Sequence, residues 1–553
     1  MQRYFLVIFL LFTSLRSVFA TDYYVDQNHP SASDSNPGTE ALPFLSIQAG
    51  VNTAQAGDNV IIKGDTDSSS TLAIYNVSRN GITTVRDGSN NNNIIIKAYN
   101  DHTVIIKGDG TGDGIELNNS YHEFHGIIFS GFNKATEGSA SKMSILIENC
   151  EFTDTKETGL RLRNIDGLTI RDTYIHHCFE SGVSLRGCNN VLFERVESSY
   201  NSDGKGSSGD GDGFHSLDGD NVDFINCIAI GNSEDGFDIT SNGKMVNCIS
   251  ANHTACNVKL WRRDGDGYVP KTMKIVNSLI YGAGECGIKI SNGAQLLLFN
   301  NVIYNNGEDG AAFRGISISE GPAVVTSYLV NNIIVASNKT ANWAKTIDVR
   351  QSGSNVNKVI ANYNLYDGYQ NTSSGVDMDD NFILDDPQFI NAADADFHLE
   401  LSSPAIDKGI SQEVYNSLYD SLGVDISLDF DGNGRPQNSI WDIGAFESQT
   451  TTSLQQNSNG LPSSYTLQNY PNPFNPSTKV EFELSKGSHA KLEIFNISGQ
   501  KILTLVDNYF NAGKYFRDWN GKNSQNKSVG SGVYYYRLVA DGQVLTKKMI
   551  LLR

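Results

Sequence analysis

The chain of 553 residues has little proline (12), tryptophan (4), methionine (6) or cysteine (7). Scarce proline beside 52 glycines suits a turn-rich, all-β protein whose strands run uninterrupted. Beyond the N-terminus no apolar run is long enough to cross a bilayer as a helix, so no membrane span is expected. Positive charge is also lacking. With 42 basic against 62 acidic residues and a net charge of −20, nucleic acid is excluded as the main partner. The cysteines, at 150, 178, 188, 227, 248, 256 and 286, are odd in number and do not have zinc spacing. We read them as free buried thiols rather than disulfides.

What is present starts with MQRYFLVIFLLFTSLRSVFA. Arg3 precedes a short apolar core, and Val18 and Ala20 fit a small-residue cleavage rule before Thr21. Residues 1–20 therefore read as a secretory signal peptide. The length suits one large repeat domain plus a smaller one, and the hydrophobic fraction of 39% is enough for a core.

The repeat is visible by stacking IENCEF, IRDTYI, FERVES, FINCIA, MVNCIS, IVNSLI, FNNVIY and VNNIIV. Their third positions are Asn149, Asp172, Arg195, Asn226, Asn247, Asn277, Asn301 and Asn332, with steps of 23, 23, 31, 21, 30, 24 and 31. Short β-type runs separated by Gly, Asn or Asp, with no helical pattern, predict a solenoid of parallel strands, one coil per period. The recurrent asparagines predict a stacked amide ladder inside a turn. The fold class expected is all-β: a right-handed parallel β-helix over 21–447, then a small C-terminal β-sandwich. The handedness rests on the known family of such folds. The segment from TDYYVDQN to VIIKGD resembles the amphipathic cap and first coil of secreted β-helix proteins. SPAIDKG and DFDGNGRPQNSIWDIGAFE resemble their ending.

Residues 448–464 form a polar linker. Residues 465–553 alternate strand and turn signals. YPNPFNPST, NISGQ, GVYYYRL and the basic end KKMILLR resemble the C-terminal sorting domain of the type IX secretion route of Bacteroidetes. That resemblance implies the type IX machinery as a partner, with the protein released or held at the cell surface. A carbohydrate-binding module is the other reading. We expect a monomer.

Chemistry concentrates in SEDGFDITSNGKMVNCISANHTACNVKLWRR, 233–263. Aligning GDGFHS, EDGFDI, CNVKLW and CGIKIS by their turns puts Asp212 and Asp235 at one coil position and His215, Asp238, Lys259 and Lys289 at another. Equivalent positions lie about 4.8 Å apart on adjacent coils. Carboxylates so close repel unless a cation sits among them. Hard oxygen ligands from two coils suit Ca²⁺, held by Asp212, Glu234, Asp235 and Asp238. Asp210, Asp218, Asp220 and Asp266 read as solvated turn acids, and His215 as a packing or supporting residue. Trp261 could stack on a sugar or belong to the core.

This segment resembles the pectate lyases of polysaccharide lyase family nine, which are calcium-dependent β-helix enzymes that cleave polygalacturonate by β-elimination. The resemblance carries the family's calcium ligands onto Asp212, Glu234, Asp235 and Asp238, and its catalytic lysine onto Lys259. Glu234 departs from the pattern, standing where aspartate is expected. The chemistry implied is proton abstraction by a neutral Lys259, whose pKa must be lowered by burial, Ca²⁺ and a neighbouring arginine. An alkaline optimum follows. Arg262, Arg263 and Lys289 are the candidates for binding substrate carboxylates, Lys289 also being the rival base. The insertions near 201–211 and 262–272 are expected to wall the sugar groove. A lyase acting on alginate or a glycosaminoglycan, and a non-catalytic polysaccharide-binding β-helix, remain as alternatives. A polygalacturonase-type hydrolase is disfavoured, because NTD, DD, GHG and RIK do not occur in order.

Overall fold

The computed structural model describes residues 20–551, apart from 65–72, 101, 138–140, 203–210, 262–270, 308–313, 320–324, 337–344, 350–357, 369–375, 379–380, 417–422, 439, 449–464, 471, 473, 475–476, 498, 511–512 and 524–526. The signal peptide up to residue 19, Arg262, Arg263 and nearly all of the linker thus lie outside the described residues.

Each coil contributes one strand to each of three parallel sheets, which among the described residues hold 14, 11 and 13 strands. One coil shows the logic. Val183–Arg186 enters the 11-stranded sheet, Asn189–Glu194 the 14-stranded sheet and Glu197–Ser199 the 13-stranded sheet. Alternation turns Val183, Leu185, Val191 and Phe193 inward, where all are buried. Stacking then repeats like on like. Phe193 lies on Phe224 with ring centroids 5.0 Å apart, and Phe214 on Phe237 at 4.8 Å. The coils form a right-handed β-helix.

The N-terminal end is closed by the helix Ile47–Thr53, whose first turn is capped by Ser46 Oγ accepting from the Ala49 amide at 3.3 Å. It buries Ile47, Gly50 and Val51 over the first coil. The C-terminal stretch of the helix domain packs outside the coils rather than over their end. Phe397, Ile443 and Phe446 cover Ile249, Leu279 and Val302 on the 13-stranded sheet, and Trp441 and Ile410 cover Val246 and Val276. The outer face of the 11-stranded sheet is not part of these contacts.

The asparagine reading needs correcting. From Asn149 to Asn364 the corner between the 14- and 13-stranded sheets takes two residues in every coil. Its first residue is left-handed at Asn149, Asp172, Arg195, Asn226, Asn247, Asn277, Asn300, Asn331 and Tyr363, with φ between 48° and 61°. Asn301 and Asn332 are therefore one residue out of phase with Asn277. The register confirms this by pairing Val276 with Phe299 and Phe299 with Val330. At the first corner position asparagine recurs chiefly because it tolerates positive φ. Along that row the amide bond found runs from Asn331 Nδ2 to Asn300 Oδ1 at 2.9 Å. The longer amide ladder occupies the second position, where Asn301 donates to Asn332 and Asn332 to Asn364, each at 2.9 Å. Earlier coils place Cys150, Cys227 and Cys248 at this same buried position.

The thiol expectation also fails for one pair. Cys256 and Cys286 are register partners on adjacent coils, with Cα atoms 4.7 Å apart, and are joined by a disulfide. One strand spacing falls within the Cα separation that a disulfide requires. Cys150, Cys178, Cys188, Cys227 and Cys248 are free and buried.

After the linker, antiparallel sheets of three and four strands face each other around Val480, Phe482, Leu492, Ile494, Trp519 and Tyr536. Among the described residues no helix is long and apolar enough to cross a membrane.

Candidate active site

The site grows from the strands Phe214–Leu217, Phe237–Ile239, Cys256–Leu260 and Cys286–Ile290 of the 11-stranded sheet. Phe214, Phe237, Val258 and Ile288 point inward and are buried. The next residue on each strand must face outward. Parallel register therefore sets His215, Asp238, Lys259 and Lys289 in one outward row.

Two residues before Phe214 and Phe237 stand Asp212 and Asp235, each followed by glycine. A Cβ on Gly236 would lie 2.2 Å from Ser250 Oγ and 2.5 Å from His253 Nε2. The Asp-Gly-Phe turn thus needs glycine to bring the strand start onto the neighbouring polar corner. The turn aims each aspartate along the helix axis. Asp212 Oδ1 accepts from the Asp235 amide at 3.0 Å, and Asp235 Oδ1 accepts from the Cys256 amide at 2.8 Å.

Lys259 closes the group. Its Nζ lies 2.7 Å from Asp238 Oδ2 and 3.1 Å from Asp235 Oδ2. Trp261 Nε1 donates to the other Asp238 oxygen. The side chains of Asp235 and Asp238 are 3% and 7% exposed, whereas that of Lys259 is 28% exposed and can be reached from solvent. Glu234 is partly exposed at the rim, and its charge acts on Asp212.

Burial pushes the Asp212 carboxyl well above the usual range, and the Asp238 and Asp235 charges push it further. Burial also raises Asp235, against the opposing pull of Lys259. For Lys259 burial acts downward, but the carboxylates of Asp235 and Asp238 outweigh it and hold the ammonium above its ordinary range. With no cation among the carboxylates the lysine pKa is thus raised, and the lowering expected from sequence requires Ca²⁺ and a neighbouring arginine as well as burial. Two unneutralised carboxylates at hydrogen-bonding distance stabilise the proton more than partial burial destabilises it.

Three acids against one lysine leave the buried group short of positive charge. Ligand atoms of Asp212, His215 and Asp238 all lie within 4.8 Å of one another. His215 Nδ1 is 3.6 Å from Asp212 Oδ2, and its buried Nε2 has no hydrogen-bond partner among the described residues. The donor set fits a cation. Sequence reasoning left His215 out of it, although its place in the stack was the available signal. The indole bond to Asp238 had no such signal, because Trp261 lies just past the strand end. Lys289 sits one coil beyond Lys259 and makes no ion pair among the described residues.

Fold and site together define a parallel β-helix with a carboxylate–lysine cluster on one outer face. Residues 23–311 match the family described as Pel9A-like, right handed beta helix region, and the chain belongs to that family. Residues 468–552 match the secretion system C-terminal sorting domain, which directs the protein through the type IX system to the exterior or the cell surface. Pectate lyase L of Thermoclostridium stercorarium is 23% identical over 322 residues, covering 55% of this chain. The match spans only 24% of that relative's length. Among solved structures, pectate lyase Pel9A is 17% identical with a TM-score of 0.43, over 78% of this chain and 97% of that one. The A-module of Azotobacter vinelandii mannuronan C-5 epimerase AlgE6 is 14% identical with a TM-score of 0.44, over 66% of this chain and 100% of that one.

Proposed function

We propose that this exported protein is a calcium-dependent lyase that cleaves 4-linked polygalacturonate by β-elimination. The observation that carries the reading is the solvent-reachable Lys259 Nζ set against two buried carboxylates. A purely adhesive β-helix has no need of that arrangement.

In this reading Asp212, Asp235 and Asp238, with Glu234 at the rim, hold calcium. Bound there, calcium supplies the positive charge that stabilises negative charge developing on a substrate carboxylate. A cation held there would also offset the pull of Asp235 and Asp238 on the Lys259 proton, as a neutral base requires. Lys259 Nζ takes the proton from C5 of the uronate. The electron pair of that C–H bond becomes the C4–C5 double bond, and the C4–O bond breaks with its electrons passing to the leaving oxygen. Trp261 holds Asp238 in place through its indole N–H, and Lys289 offers a second cation for a neighbouring carboxylate. Arg262 and Arg263 remain candidates for the same task. Release of the lysine proton at higher pH favours an alkaline optimum.

The test is a spectrophotometric assay for unsaturated product on polygalacturonate, with wild type and Lys259→Ala, each with calcium and with chelator. Product from wild type alone, lost on chelation, supports the proposal. Product from alginate or a glycosaminoglycan instead would reassign the substrate, and no product from any uronan would remove the enzymatic reading.

A further inference from the structure

The outward row does not stop at His215. Towards the N-terminus it continues through Ser184 to Arg161. Two residues along the same strands, Arg163 pairs in register with Arg186. These side chains, with Glu180 and His215, line a hollow of about 320 Å³. His215 thus belongs both to the carboxylate cluster and to an arginine-lined hollow beside it.

The three arginines are not equivalent. Arg161 is neutralised by Glu157 at 3.3 Å and Glu180 at 2.9 Å. Arg186 reaches Asp218 at 3.4 Å, with its side chain 55% exposed. Arg163 makes no ion pair among the described residues, and lies one coil from Arg186. Like charges directly opposite on neighbouring strands are unfavourable unless an anion sits between them. In a chain of net charge −20, Arg163 stands without a counter-ion among the described residues beside an Arg186 that the exposed Asp218 contact offsets only in part.

We infer that Arg163 and Arg186 form a distal subsite that binds the carboxylate of an acidic sugar several units from the bond being cut. A guanidinium fork takes a carboxylate bidentately, which fixes the orientation of the sugar ring. Arg186 lies three coils from Lys259 and Arg163 four, roughly 14 and 19 Å along the axis at one strand spacing per coil. One sugar ring does not bridge either distance, so the subsite reads chain length as well as charge. The inference rests on the lyase reading for its position relative to the cut. The anion seat itself does not depend on that reading.

The experiment compares full-length wild type with Arg163→Gln and with Arg163→Ala/Arg186→Ala. Rates are measured on long polygalacturonate and on a short oligomer, and binding is measured by retardation in gels containing polygalacturonate or a neutral glycan. The single variant leaves no buried partner unpaired, so it guards against loss of folding in the double one. We expect kcat/KM on the long polymer to fall at least tenfold, mainly through KM, and the long-to-short preference to shrink. Retardation by the acidic polymer should weaken, while behaviour in the neutral one does not change. Unchanged length preference in an active enzyme would overturn the inference, as would equal loss of binding to the neutral glycan. If wild type cuts no uronan, the lyase reading fails, and the gels still decide. Weaker retardation of the variants then upholds the anion seat, and equal retardation rejects it.

Discussion

The inner and outer faces of the same few strands obey different rules. Inward, Phe214 stacks on Phe237, and Val258, Ile288 and Ile316 follow in register. Outward, one residue along, the row reads His215, Asp238, Lys259. Repetition lets identical shapes stack one strand spacing apart and makes a continuous core. A change of charge at every coil gains nothing in packing. It puts unlike ionisable groups within contact, which is what acid–base chemistry needs. In a solenoid, the departure from the repeat is the functional signal.

The largest effect should come from the outer row. Lys259→Ala is expected to lower turnover by about 10²–10⁴-fold, the usual share of a general base. Its thermal midpoint in calcium should stay close to that of wild type. A variant that instead unfolds would erase the distinction between the faces. The inner row should behave in the opposite way. Phe237→Ala is expected to cost roughly 3–5 kcal/mol in denaturant unfolding, with activity per folded molecule retained. Replacing Cys256 and Cys286 by serine sharpens the contrast at the strand starts. Opening a cross-link with a separation of 30 residues should cost about 3.6 kcal/mol in chain entropy. Equal midpoints for the oxidised and serine forms would show that the bond does not restrain the site.

The smallest effect concerns pH. Asp212 and Asp235 have raised carboxyl pKa values in the folded state. The native state therefore holds protons that the unfolded chain releases, and metal-free stability should rise on acidification towards the unfolded value of 3.8. Lys259, raised above 10.5, adds stability that is present below that value and lost above its folded one. With chelator, the thermal midpoint should thus fall as pH rises above the unfolded carboxyl value of 3.8, and Asp212→Asn should flatten the slope. A midpoint that rises over this range would contradict the buried-carboxylate account.

Much of this was legible before any coordinates. The spacing of the corner segments yields the coil, and the Asp-Gly-Phe turns place Asp212 over Asp235 and His215, Asp238 and Lys259 in one row. Three things were hidden for physical reasons. Two adjacent asparagines in FNNVIY and VNNIIV left the phase ambiguous by one residue, which only backbone φ and register resolve. The disulfide required knowing that Cys256 and Cys286 face the same way one coil apart. Arg163 and Arg186 sit on alternating strands, LRLR and VSLR, where an outward arginine reads as ordinary surface until the hollow is seen.

The two-residue corner has a further consequence. Because it never changes length between Asn149 and Asn364, every difference in coil length falls on the two bends that border the 11-stranded sheet. Adding residues to a loop costs only slowly growing closure entropy, and here the 14- and 11-stranded sheets keep their register, while the 13-stranded sheet shifts once, between Tyr304 and Asn306. Growth is confined to the two borders of the 11-stranded sheet, which carries the candidate site. A lineage or an engineer can raise, lower or reshape them to suit a differently branched polymer while the core keeps its count.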